Sequence, residues 1–123
     1  MLKATRISAW FLAAAIVVFS LVPADLRPVT DVPHALEHFV IFAATGIAFG
    51  FGYGPRYSIA IALVIFAGAI EIAQLSVPGR HARLSDFIVD AFAACTGFLA
   101  SYVVAQKLEA TFRSRFQRHP ADD

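Results

Sequence analysis

Hydrophobic residues fall into four blocks along the chain, covering residues 7–22, about 38–54, 57 to about 77, and 87 to about 105. The first carries no charge, the third is broken only by Glu71 and Gln74, and the fourth is broken by Asp90. A helix needs roughly 20 mostly apolar residues to cross a bilayer, with a working range of about 17–25. The third and fourth blocks meet that length, and the first two reach it with flanking residues. Helices are the only open-ended segments that satisfy their own backbone in lipid. The pattern therefore predicts an all-α fold: a four-helix transmembrane bundle over residues 1–105, followed by a short tail at 106–123.

Composition sharpens this picture. The 123 residues are 59% hydrophobic and 15% charged. Soluble domains are closer to half apolar and a quarter charged, so the bias points to lipid. The length allows one compact unit. Cys95 is the single cysteine, so no internal disulfide can form, and its apolar surroundings predict a buried, inert thiol. Lys3 and Arg6 ahead of the first block, with Val22-Pro23-Ala24 after it, also resemble a cleavable secretory signal. A retained helix is favoured, because three further spans follow closely.

Charge sets the expected orientation. With both termini cytoplasmic, Lys3, Arg6, Arg56, Lys107, Arg113, Arg115 and Arg118 lie inside, and Arg27, Arg80 and Arg83 lie outside. Lysine and arginine concentrate on the cytoplasmic side of membrane proteins, so this is the expected topology. Trp10, Tyr53, Tyr57 and Tyr102 would then sit near the inner interface, which suits amphipathic rings. The first outer loop contains prolines 23, 28 and 33 and is predicted to be irregular and stiff. In the tail, Leu108, Phe112 and Phe116 recur at spacing four beside three arginines. That suits either a basic amphipathic helix on the inner leaflet or a solvated tail that sets topology.

Small residues predict where helices touch. Gly46, Gly50 and Gly54 recur every four residues in the second block, and Ala93, Gly97 and Ser101 form a similar stripe in the fourth. Such stripes let backbones approach closely, within one bundle or between copies of the chain.

The up-and-down threading brings the polar residues to one end. These are His34, Glu37 and His38, then Glu71 and Gln74, then Arg80, His81 and Arg83, then Asp86 and Asp90. An ionisable group at the centre of a membrane helix costs about 2.5–3.5 kcal/mol on insertion scales, so such a cluster marks a candidate site. Glu71 and Gln74, three apart, share a helix face. If Pro78 ends that helix, Glu71 lies about 10 Å below its end. Arg80 and Arg83 are the nearest cations in sequence, and a guanidinium matches a carboxylate bidentately. Asp86 and Asp90 also share a face, with Ser85 as the expected N-cap and Asp86 as a first-turn anion. The run from His34 to His38 matches the inverted zinc-protease pattern H-x-x-E-H. Such an enzyme also needs a third protein ligand, which Glu71, Asp86 or His81 could supply with nothing to single one out, and a soluble cleft; a histidine at the helix entrance that hydrogen-bonds a carboxylate is the favoured role, so no metal or other cofactor is assigned. The glycines lie inside helices and cradle no phosphate. The basic residues are divided between the two sides of the membrane, which argues against nucleic acid.

Glu71-x-x-Gln74, then Pro78-Gly79-Arg80, then Ser85-Asp86 opening a helix rich in small residues, resembles the VanZ-like family. His38-Phe39, with Phe42 and Gly46 behind it, is similar to that family's second-helix start. The resemblance covers residues 35–100 or so. Many members have lysine where this chain has Ala35, and asparagine where it has Asp90. The resemblance implies a small multi-pass protein of the bacterial cytoplasmic membrane. The family's namesake is linked to teicoplanin resistance, an antibiotic-resistance role at the cell envelope.

The expected site is an outward-facing pocket of His38, Glu71, Gln74, Arg80, Arg83, Asp86 and Asp90, with membrane lipid as the surrounding partner. Three readings stay open. The pocket binds an anionic lipid headgroup or wall precursor; or it is an enzyme site on a lipid-linked or phosphorylated substrate, with His38 or Glu71 as general base; or the polar set is a structural lock.

Overall fold

The computed structural model describes residues 2–23, 33–79 and 81–117. These contain four helices and no strand: α1 (Leu2–Leu21), α2 (His34–Tyr53), α3 (Tyr57–Gln74) and α4 (Leu84–Gln117). All four are long and apolar enough to cross a membrane. The chain has the all-helical architecture that its hydrophobic blocks predict.

Ile16, Phe42, Leu63, Ile70 and Phe98 form a buried core, yet polar groups are buried with them while many large apolar side chains face outward. Thr45, Asp90 and Ser101 are buried, along with Ala9, Ala67, Ala93 and Ala94. Phe11, Ile65, Ile72, Phe92 and Leu99 are all more than half exposed. Water would penalise that outer surface, whereas hydrocarbon does not. Core hydroxyls turn back onto their own helix: Thr45 Oγ1 donates to the Ile41 carbonyl at 2.8 Å and Ser101 Oγ to that of Phe98 at 2.6 Å. Such bonds satisfy a hydroxyl where no water is present.

The bundle is built on α2 and α4, which make its most extensive contact. They run parallel: His38 meets Asp90 near both N-termini, and further along Gly50 lies against Phe98 and Ser101. Both predicted stripes act here. A Cβ on Gly46 would strike the Ala94 carbonyl, one on Gly50 the Ser101 hydroxyl, and one on Gly97 the Ala43 carbonyl. Gly54 has another use. It ends α2 with φ 75°, its N–H donating to the Gly50 carbonyl at 2.9 Å, and only glycine adopts that φ without strain. α1 packs mainly on α2, and α3 mainly on α4. α1 is antiparallel to α2, since Arg6 Nε donates to the Gly52 carbonyl (2.8 Å) and Trp10 Nε1 to the Tyr53 hydroxyl (2.8 Å).

Several boundaries differ from the sequence expectation. α2 begins at His34, one turn before His38, because the Pro33 carbonyl accepts from Leu36 N and Glu37 N. α3 ends at Gln74, before Val77. Residues 75–77 bond back at i→i+3, and Pro78 disfavours helical geometry in the residue before it. Residues 106–117 continue α4 without a break. At 1.5 Å per residue α4 is roughly 50 Å long, more than the ~30 Å hydrocarbon core requires. Cys95, expected to be buried, is half-buried. Residues 24–32 of the loop between α1 and α2, and residues 118–123, lie outside the described residues.

Replacing Gly97 with leucine is expected to lower the unfolding midpoint in detergent and cost at least about 1–3 kcal/mol, because a backbone carbonyl stands in the way. Gly68→Ala is the contrast: its methyl would rest at 3.4 Å from the Phe87 ring, in ordinary contact. Equal melting of the two variants would contradict the α2–α4 packing.

Candidate functional site

The polar residues gather where α2 and α4 begin and α3 ends. Asp90, one residue short of two turns into α4, is fully buried. A carboxylate there requires a partner. It has His38 of α2, whose Nδ1 is 3.1 Å from both Asp90 oxygens. His38 is itself buried, and its ring stacks on Phe42 with centroids 6.2 Å apart and planes at 20°. Phe42 in turn packs against Phe66 of α3. The imidazole is therefore held by a carboxylate at one nitrogen and a ring at its face.

Glu71 makes a second link. Its Oε2 accepts the backbone N–H of Arg83 at 3.0 Å. Arg83 immediately precedes α4, and its own carbonyl accepts from Asp86 N and Phe87 N. The bond thus ties the last turn of α3 to the first turn of α4. Among the described residues no guanidinium pairs with Glu71: a helix start leaves backbone donors unsatisfied, and the carboxylate meets one of them. Asp86, Asp90 and His38 lie within electrostatic reach of Glu71. Since α3 ends at Gln74, Glu71 is one turn from that end, shallower than the expected 10 Å. Glu71 and Gln74 are both buried, and among the described residues neither Glu71 Oε1 nor Gln74 Nε2 has a hydrogen-bond partner.

Ser85 does not cap α4. The helix starts one residue earlier, and the Ser85 hydroxyl donates to Asp86 Oδ1 at 3.0 Å. Asp86 is the first-turn anion, as its position predicts. Arg80 and the His34 side chain lie outside the described residues. Among those described, no three histidine, cysteine, aspartate or glutamate side chains are grouped as a metal site.

The predicted residues share one end of the bundle but do not ring one cavity. Glu71 and Arg83 line a space of about 320 Å³ between α3 and α4, walled by Gly68, Ile72, Leu84 and Phe87. His38 faces a different space, about 240 Å³, between α1 and α2. That second cavity brings in Ser20 and Glu37, of which Ser20 was absent from the sequence reading. The signal for Ser20 is its place in the buried series Ala9, Ala13, Ile16, Ser20, at helical spacing down the inner face of α1. No family model, curated protein or solved structure matches the chain.

Asp90→Ala leaves His38 without its buried counter-group, and is expected to destabilise the protein by about 3–5 kcal/mol. Replacing both residues with leucine is expected to cost less than that single change. Denaturant titration in a fixed detergent reads both. An Asp90→Ala protein as stable as wild type would remove the pair as a determinant of the fold.

Proposed function

We propose that this chain is a VanZ-like protein that spans the bacterial cytoplasmic membrane four times, with both termini inside. Its outer polar end binds an anionic component of the cell envelope, either a phosphate-bearing lipid headgroup or a wall precursor. The carrying observation is Arg83. Glu71 is satisfied by the Arg83 backbone N–H, so the carboxylate does not neutralise the guanidinium. Among the described residues that guanidinium forms no ion pair, and Arg83 is exposed at the mouth of a cavity with apolar walls. A planar fork of N–H donors beside an apolar groove suits a phosphate attached to a hydrocarbon chain. Glu71 acts as the positioning residue, holding the Arg83 backbone.

Orientation follows the charge distribution. Arg83 and Arg56 stand at opposite ends of the bundle, and the end holding Arg6 and Arg56 carries the larger share of cations. The Trp10–Tyr53 pair at that same end supports an interfacial position there.

Native mass spectrometry of the detergent-purified protein with added phosphatidylglycerol tests the binding. Arg83→Ala is expected to weaken retention of the anionic lipid about tenfold or more, equivalent to roughly 1.4 kcal/mol. Retention of phosphatidylcholine should change much less. Equal phosphatidylglycerol binding by wild type and Arg83→Ala would refute the proposal. Topology is checked separately with a membrane-impermeant thiol reagent, using Arg56→Cys and His81→Cys in a Cys95→Ala background. The two positions should label from opposite sides.

A further inference from the structure

The groove bordered by Glu71 and Arg83 contains a polar group that the bundle itself leaves half satisfied. Glu71 is only 5% exposed. Its Oε2 accepts the Arg83 backbone N–H at 3.0 Å. Its Oε1 is buried and, among the described residues, has no hydrogen-bond partner. A buried polar atom left unmet is costly, so an incoming group that meets it gains a full hydrogen bond at little expense. Arg83 supplies the N–H that fixes Oε2, and its exposed side chain places a guanidinium at the same groove. Ile72 and Leu84, 69% and 74% exposed, carry the apolar wall of the groove onto the outer face of the bundle.

We infer that the phosphate-bearing lipid bound at Arg83 carries a hydroxyl in its headgroup, as a glycerol or sugar phosphate does, and that this hydroxyl docks on Glu71 Oε1. The inference rests on the anionic-lipid reading of the same groove and narrows its ligand. A phosphate oxygen cannot meet a bare carboxylate oxygen, because both are acceptors. A hydroxyl meets Oε1 in either protonation state, donating to a carboxylate oxygen and accepting from a protonated one. An ammonium meets only the bare carboxylate, and a quaternary choline nitrogen has no proton to donate. Two residues thus divide the headgroup between them. The Arg83 guanidinium takes the phosphate charge, and Glu71 reads the substituent beyond it. The hydrocarbon chains leave the groove along Ile72 and Leu84. Because Oε2 is held by the Arg83 backbone, Oε1 is fixed relative to the residue that binds the phosphate.

The test compares two lipids on the full chain in detergent micelles by native mass spectrometry. Phosphatidylglycerol has the hydroxyls; phosphatidylethanol keeps the phosphodiester charge and has an ethyl group in place of the glycerol. Wild-type protein is expected to retain phosphatidylglycerol about fivefold or more better than phosphatidylethanol. Arg83→Ala should weaken both lipids by a similar factor and leave their ratio standing. Glu71→Ala should bring the ratio close to one. That variant also loses the bond to the Arg83 backbone, so the ratio is read and not the absolute retention. The wild-type comparison needs no variant at all. Equal retention of the two lipids by wild-type protein would overturn the inference, as would a Glu71→Ala protein that keeps the wild-type ratio. Tighter retention of phosphatidylethanolamine than of phosphatidylglycerol would assign an ammonium to Oε1 and overturn it too. If the wild-type ratio is one while Arg83→Ala weakens both lipids, anionic-lipid binding stands and the hydroxyl contact alone fails. If Arg83→Ala weakens neither, the binding reading itself fails.

Discussion

The hydrogen-bonded pair between His38 and Asp90 governs how this bundle is assembled. Both groups are buried within helices whose outer faces are apolar, so neither water nor lipid can satisfy them. Only a helix carrying the complementary group relieves that cost. This requirement brings α2 and α4 together, parallel and in one register. The contact is feasible because Gly46, Gly50 and Gly97 remove the side chains that would hold the backbones apart. The pair supplies register and the glycines supply proximity, and each would be ineffective without the other. α1 and α3 then pack onto opposite members of the central pair.

A second polar link completes the same end. Glu71 engages a backbone donor at the start of α4, which secures α3 without using the Arg83 guanidinium. The choice of donor has a chemical consequence. Had the Arg83 guanidinium met Glu71, the two charges would have cancelled and the end would have been a closed lock. With the backbone taking that role, a guanidinium is left at the edge of an apolar groove. The architectural and binding readings of the polar cluster are therefore compatible. Some of its groups hold the helices, and others face the cavities those helices enclose.

The two cavities lie on either side of the α2–α4 pair and differ in chemistry. One is bordered by Glu71 and Arg83. The other is bordered by Ser20, Glu37 and the buried His38. Both have mostly apolar walls. His38 connects them physically, because the carboxylate that orients it belongs to the helix whose first turn Glu71 secures.

The four blocks of hydrophobicity determined by themselves that the chain is helical, how many helices it forms and that their outer faces are apolar. Those properties follow from local composition and length. Short-range spacing also exposed the two small-residue stripes and the alignment of Glu71 with Gln74, since a helix face is a property of its own residues. Tertiary structure alone decided the pairings. Asp90 took His38, and Glu71 took the Arg83 backbone instead of the Arg83 guanidinium. Ser20 and His38 border one cavity only because α1 packs on α2. No spacing rule carries such information, because these partners are 12 to 52 residues apart in sequence or belong to separate helices. Their meeting depends on which helix faces pack together, and that is set by the balance of buried polar groups and backbone clearance across the whole bundle.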